Sequence, residues 1–377
     1  MNRWFPMLTV ALALVFVVSG CSSKSVSNLM RKAQEGDASA QCDLGLCYLK
    51  GEGVEKDPAQ GAEWLTKAAE QEFPKALSRL GECYYDGEGV EQDLATAVEL
   101  WEEASEKGDA NAQFNLAKCY AAGEGVDEDP DQAAELCKKA AEQGLARAQY
   151  NLGVCYQNGE GVENDSAKAV EWYRKAAKQK DLDALYSLGL CYESGEGVQK
   201  DLNQAAKWYR RAAELGHADA QYNLGLLYMN GEGVKKDRAK AAEWFQKAAD
   251  QGDEMAQYNL GVCYMRGEGV KRDLEKAVEW FEKAAGQGLE DAQTILEEIY
   301  SDEETDGDDE ENYSDEEYYS DEEEYMDEED YADEEAEMSE EADAGEEVSA
   351  NEDPSTAVET NPAETPNPAE TTTPTQE

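Results

Sequence analysis

Nine cysteines, one histidine and 86 carboxylates are the side chains of this 377-residue chain suited to acid–base, nucleophilic or metal chemistry. The single histidine, His217, removes most zinc, haem and imidazole-dependent schemes at once. It stands where equivalent stretches hold Asp37, Asp109, Asp181 or Leu145, so it reads as a solvated loop residue rather than a base. Glu52 and Glu88 fall on glycine-rich turns and read as solvated too. The chain has no Ser-x-x-Lys, Ser-Asp-Asn, Lys-Thr-Gly or Gly-x-Ser-x-Gly sequence, the arrangements that set an activated serine beside its base. No catalytic site is expected.

The cysteines follow a pattern instead. Cys47, Cys83, Cys119, Cys155, Cys191 and Cys263 share one position of a 36-residue period, and Leu227 fills it once. A cysteine that leucine can replace behaves as a small buried hydrophobe. On stacked helices such residues stand at packing distance, ~8–10 Å between backbones, whereas a disulfide needs roughly 4.4–6.8 Å. Cys42 is read as plain packing. Cys137 differs, because its position elsewhere holds Trp101, Tyr173, Tyr209 or Phe245, and it flanks a turn opposite Cys119. Two readings stay open for that pair: a Cys119–Cys137 bridge in an oxidising compartment, or two packed thiols. There is no Cys-x-x-Cys, so zinc-ribbon and thioredoxin-like sites are excluded, and no metal or cofactor is expected.

The elements that position these residues are set by Gly-Glu-Gly-Val-x-x-Asp. It occurs at Gly51–Asp57 and returns every 36 residues up to Gly267–Asp273, seven times in all. Within 145–180, Ala148, Leu152, Cys155 and Tyr156 lie on one helical face. Gly159 suits a left-handed C-terminal cap, Gly161 frees a second φ, and Val162 is the apolar plug of the turn. Asp165 suits the N-cap of a second helix carrying Ala169, Val170, Trp172, Tyr173, Ala176 and Ala177. Gly45, Gly81, Gly153, Gly189, Gly225 and Gly261 recur inside the first helix, with Ala117 once in their place. A mid-helix glycine costs ~1 kcal/mol against alanine, so its recurrence points to close helix approach. One hairpin cannot bury both its faces, and the units must stack. The expected fold is all-α: a right-handed α-solenoid of seven 36-residue helix-turn-helix repeats.

Ala148-Gln-Tyr-Asn-Leu-Gly-Val-Cys-Tyr, then Gly159-Glu-Gly-Val, then Ala169-Val-Glu-Trp-Tyr-Arg-Lys-Ala-Ala resembles the Sel1-like repeat, a relative of the tetratricopeptide repeat. The resemblance spans 37–288 in seven units. Residues 26–35, within a segment 21–36, look like an N-terminal capping helix, and 289–300 like a C-terminal one. It implies a protein-binding adaptor whose groove is lined by the first helices. By the same likeness Asn115, Asn151, Asn223 and Asn259 face that groove, with Lys118, Asn158, Asn230 and Arg266 as variable neighbours. The competing reading is that these asparagines only brace adjacent repeats. Some cysteine-rich members have been labelled β-lactamases, so a β-lactamase-like or cell-wall-active hydrolase is the alternative function.

The ends of the chain supply an address. Arg3 and the apolar run Trp4–Val18 read as an export signal over 1–20, too short for the ~20 residues of a spanning helix. Val18-Ser19-Gly20-Cys21 resembles the bacterial lipobox, which implies lipidation of Cys21; Ser22 after it favours the outer membrane. Acyl chains would hold an acidic protein at a membrane that its charge avoids. Residues 301–377 carry 34 Asp and Glu and no Lys or Arg, and end in a Pro/Thr-rich stretch, a composition expected to be disordered. Asp302–Tyr313 lacks the bidentate Glu of a calcium loop. The tail therefore reads as a solvating brush, a docking segment for a cationic partner, or a weak divalent-cation sink. A net charge of −53 argues against nucleic acid. The expected function is an envelope adaptor that binds a protein or peptide, with an acidic cation-binding surface protein as a further alternative.

Overall fold

The computed structural model describes residues 23–305, which form sixteen helices and, among the described residues, no strand. A first capping helix, α1 (Ser23–Gln34), precedes seven hairpins. Their first helices are α2 (Ala38–Lys50), α4 (Pro74–Asp86), α6 (Ala110–Ala122), α8 (Ala146–Asn158), α10 (Leu182–Ser194), α12 (Ala218–Asn230) and α14 (Glu254–Arg266). Their second helices are α3 (Pro58–Ala69), α5 (Leu94–Glu106), α7 (Pro130–Glu142), α9 (Ser166–Lys178), α11 (Leu202–Glu214), α13 (Arg238–Asp250) and α15 (Leu274–Gly286). A last first-type helix, α16 (Glu290–Thr305), closes the array. Each helix packs on its neighbours in chain order, which makes the assembly a solenoid.

The turn inside each hairpin works as its sequence requires. Gly159 takes φ 75° and its N–H donates to the Cys155 carbonyl at 2.8 Å. The Asp165 N–H donates to the Tyr156 carbonyl at 2.8 Å, and its carboxylate accepts from Lys168 N at 3.0 Å, starting α9. The equivalent Asp caps every second helix. Gly161 answers to the neighbouring unit: a Cβ there would stand 1.9 Å from the Pro130 carbonyl oxygen at the start of α7. The second turn glycine is therefore a stacking residue, fixing how one hairpin sits on the one before it. Turn valines such as Val198 and Val234 pack against the core.

Both ends are sealed. Val26 and Ala33 of α1 bury against Ala40 and Leu44, and Ala292 and Leu296 of α16 bury against Ala277, Phe281 and Ala284. The caps run further than the sequence suggests, beginning at Ser23 and continuing to Thr305, so 301–305 are helical rather than tail. The export signal, Cys21, Ser22 and the acidic segment beyond 305 lie outside the described residues. No helix among the described residues is long and apolar enough to cross a membrane.

Candidate protein-binding face

The first helices are held in register by a contact inside each hairpin. Trp101, Tyr173, Tyr209, Phe245 and Phe281 each lie over the mid-helix glycine of their own first helix; a Cβ on Gly189 would stand 2.4 Å from the Tyr209 ring. In the third hairpin Ala117 replaces the glycine and Cys137 replaces the ring, so the two departures compensate in volume. The tip of the ring is matched as well. Tyr173 Oη donates to Gln157 Oε1 at 2.6 Å and Tyr209 Oη donates to Glu193, whereas the hydroxyl-free Phe245 and Phe281 are accompanied by Met229 and Met265.

This geometry decides the cysteine pair. Cys119 and Cys137 are both free thiols, and the Cys119–Cys137 bridge is not formed. Cys137 is not paired with Cys119; its Sγ donates to the Ala148 carbonyl of α8 at 3.3 Å. Burial pushes its thiol up to about 12 and that of Cys119 up to about 11. Cys42, Cys83, Cys191 and Cys263 are likewise raised by burial, so these thiols pack and do not ionise near neutral pH.

A ladder of glutamines, which the sequence reading missed, ties the units together. Gln41, Gln113, Gln149, Gln221 and Gln257 are buried, and each donates backwards to a carbonyl of the preceding helix, as Gln149 does to Ala141 O at 3.1 Å. Each also accepts from a glutamine at the end of its own hairpin: Gln71, Gln143, Gln179, Gln251 or Gln287. The sequence changes both partners or neither, with Leu77 and Lys107 in the second hairpin and Leu185 and Leu215 in the fifth. Losing one alone would strand a buried amide. That paired replacement, 30 residues apart, was the available signal.

The predicted face residues fall on the outward sides of the first helices. Asn115 Nδ2 donates to Glu82 at 3.3 Å, Asn223 Nδ2 to Tyr186 Oη at 3.4 Å, and Asn259 Nδ2 to Tyr222 Oη at 3.5 Å. These contacts cross from one first helix to the one before, so the same amides that sit half-buried on the face also brace it. Asn151 is half-buried at the equivalent place, and Tyr150 bonds the Ser187 hydroxyl of the next unit. Lys118 is exposed one turn beyond Asn115. Asn158, Asn230 and Arg266 are exposed at the last residues of α8, α12 and α14; Asn158 bonds Glu160 at 2.9 Å. Between the two polar rows runs an apolar stripe of Val154, Leu190, Leu226 and Val262, of which Leu190 is 39% exposed.

Two side chains differ from their sequence readings. His217 is a cap rather than a loop residue: its Nδ1 accepts from Ala220 N at 3.3 Å, its ring stacks on Tyr186 at 4.6 Å, and its Nε2 is 3.6 Å from Asp183. It does for α12 what Asp37, Asp109, Asp181 and Asp253 do for α2, α6, α10 and α14. Glu88 is not merely solvated but pairs with Lys56 of the preceding hairpin at 3.0 Å, and Glu196 accepts from Ser166 at 3.0 Å. No group of His, Cys, Asp and Glu that could hold a metal ion occurs among the described residues.

Known proteins share this architecture. No curated protein matches the chain. Among solved structures, a protective antigen of uropathogenic Escherichia coli displaying an SLR fold is 37% identical with a TM-score of 0.70, over 76% of this chain and 60% of its own. This chain thus spans about 60% of that antigen's length. A Sel1 repeat protein from Oxalobacter formigenes is also 37% identical, with a TM-score of 0.60, over 74% of this chain and 82% of its own. The Sel1 repeat matches seven times in succession, at 38–73, 74–109, 110–145, 146–181, 182–217, 218–253 and 254–289. With the glycine-ring contact and the capped turn repeated in that register, the chain belongs to the Sel1 repeat family.

Proposed function

We propose that this chain is a non-catalytic adaptor of the bacterial cell envelope, lipidated at Cys21, held at the outer membrane, and binding partner proteins along the first-helix face. Sel1 repeat proteins are generally protein-interaction scaffolds. The observation that carries the reading is the face itself: half-buried asparagines and tyrosines in rows around a part-exposed apolar stripe, braced from one repeat to the next. Asparagine amides there offer a donor and an acceptor to a peptide backbone. The thiols are packed and the histidine is a cap, which weighs against the hydrolase alternative.

A photo-crosslinking amino acid placed at Leu190 or Leu226 should trap specific envelope proteins, whereas one at exposed Lys271 should not. Equal trapping at all three positions would sink the reading. Cys21→Ser should abolish palmitate incorporation and release the protein from membranes. Removal of 306–377 should leave the crosslinks intact; their loss would transfer binding to the acidic segment and to cationic partners or divalent cations.

A further inference from the structure

The first-helix face is uniform in fold but not in charge. Over α10, α12 and α14 its outward positions hold Asp183, Asp219, Glu254 and neutral side chains, with Arg266 as the cation at the far end. Over α4, α6 and α8 four cations gather in a chain of net charge −53: Lys75, Arg79, Lys118 and Arg147. Such concentration against the overall balance needs a physical account.

Intramolecular pairing satisfies only half of them. Lys75 pairs with Asp43 at 2.9 Å. Arg79 pairs with Glu82 at 2.7 Å, and the other oxygen of Glu82 accepts from Asn115 at 3.3 Å, so both oxygens of that carboxylate are engaged. Asp86 sits at the turn end of the same helix. Arg147 and Lys118 make no ion pair among the described residues. The Arg147 guanidinium lies over the Phe114 ring at 4.7 Å and donates to the neutral Asn111 side chain at 2.7 Å. That stacking and hydrogen bond fix the guanidinium plane before any ligand arrives. Partial desolvation lowers the Arg147 pKa, and the charge of Arg79 lowers it further, against the opposing pull of Glu82. Arg147 thus feels the charges of both Arg79 and Glu82 from a helix two repeats away, and no carboxylate of the described residues pairs with it. Mutual repulsion of this kind is relieved by an incoming anion.

We propose that the face of α4, α6 and α8 recognises an acidic peptide segment of a partner protein, its Asp or Glu carboxylates pairing with Arg147, Lys118 and the remaining donors of Arg79. The inference rests on the adaptor reading and names the chemistry of its partner. A long polyanion such as nucleic acid would meet the rest of the acidic chain. A short acidic segment meets mainly the local cations, because charges more than ~8 Å away are screened at physiological salt. The apolar stripe beginning at Val154 would take flanking hydrophobic residues of the same segment.

The test is fluorescence anisotropy on the full chain with a labelled Glu/Ser peptide and with Gln/Ser and Lys/Ser peptides of equal length. The Glu/Ser peptide should bind, more weakly as salt rises, and the other two should not. Arg147→Gln and Lys118→Gln should each weaken binding several-fold and together about tenfold or more, with helical content unchanged by circular dichroism. Lys271→Gln, on an exposed turn away from this face, should leave binding unaltered. The pair Arg147→Glu with Lys118→Glu should transfer preference to the Lys/Ser peptide, a result that misfolding could not produce. Failure of the Glu/Ser peptide to bind, equal binding of Gln/Ser, indifference to both substitutions, or full displacement by equimolar inorganic phosphate would each overturn the inference. Persistence of crosslinks from Leu190 and Leu226 in that event would leave the adaptor reading standing, and their absence would remove both.

Discussion

The third and fifth hairpins share one backbone and solve its central contact in opposite ways. In the fifth, Gly189 makes room for the Tyr209 ring, and Glu193 accepts the ring hydroxyl. In the third, the same three positions are Ala117, Cys137 and Ala121. One hairpin is filled by a large side chain over a bare helix, the other by small side chains on both helices. The unit of selection is therefore the three-position set, and a substitution is tolerable only if its two companions fit it.

Truncation should separate the hairpins most. Tyr209→Ala empties a fully buried ring site and is expected to cost ~3–5 kcal/mol, whereas Cys137→Ala removes one sulfur and should cost ~1 kcal/mol. Chemical denaturation with hydrogen exchange at α10 and α6 would measure both; equal losses would refute the volume argument. Exchange of the small residues comes next. Gly189→Ala drives a methyl into the Tyr209 ring and should cost ~1–3 kcal/mol, while Ala117→Gly should cost only ~1 kcal/mol through helix propensity. Gly189→Ala combined with Tyr209→Cys should cost less than the sum of its parts, since it rebuilds the third hairpin's solution in the fifth.

Alkaline pH tests the same contrast electrostatically. Burial raises the folded pKa of Cys119 and Cys137, and burial with the Glu193 hydrogen bond raises that of Tyr209. A raised pKa contributes stability that is complete below the unfolded value and lost as pH climbs through the folded one. The third hairpin, with two thiols, should begin to weaken above pH 9 and continue to about 12. In the fifth, Cys191 weakens over a similar range up to about 11, and the tyrosine contribution starts to fall only near its unfolded value of ~10. Melting temperature against pH for Cys137→Ala and Tyr209→Phe would show it, the first variant flattening the lower part of the slope and the second the upper part. Identical profiles for both variants would contradict the assignment.

Much of this was readable beforehand, and the rest was hidden for a physical reason. Turn glycines, capping aspartates and the helical faces are local, so a 36-residue register exposes them directly. Ala117 and Cys137 were each visible as departures, but the link between them needs the knowledge that position 137 lies over position 117 rather than opposite Cys119. In that register Cys119 and Cys137 are two packed free thiols. The Gln149–Gln179 pair joins the two ends of one hairpin and the Gln149–Ala141 bond crosses to the hairpin before, and no spacing rule within one helix predicts either. His217 was misread because imidazole Nδ1 can accept a backbone N–H as a carboxylate does, a capping role outside the usual residue set.

The joints that lead into the two hairpins give the smallest contrast. The third is entered through Gly108 at φ 88°, and the fifth through Lys180 at φ 63°, one of two non-glycine residues with positive φ among those described. A left-handed L-residue costs roughly 1–2 kcal/mol, while glycine adds about 0.5–1 kcal/mol of unfolded-state entropy. Lys180→Gly should therefore stabilise the array by about 0.5–1 kcal/mol, and Gly108→Lys should destabilise it by a similar amount. A denaturant midpoint shifted in opposite directions at constant slope would support this. A neutral Lys180→Gly would mean that the joint relaxes without cost, and that dihedral strain does not account for the glycine at six of eight such joints. No atom lies within 4 Å of the Cβ that Gly108 would acquire, so space is not the constraint there and the dihedral is.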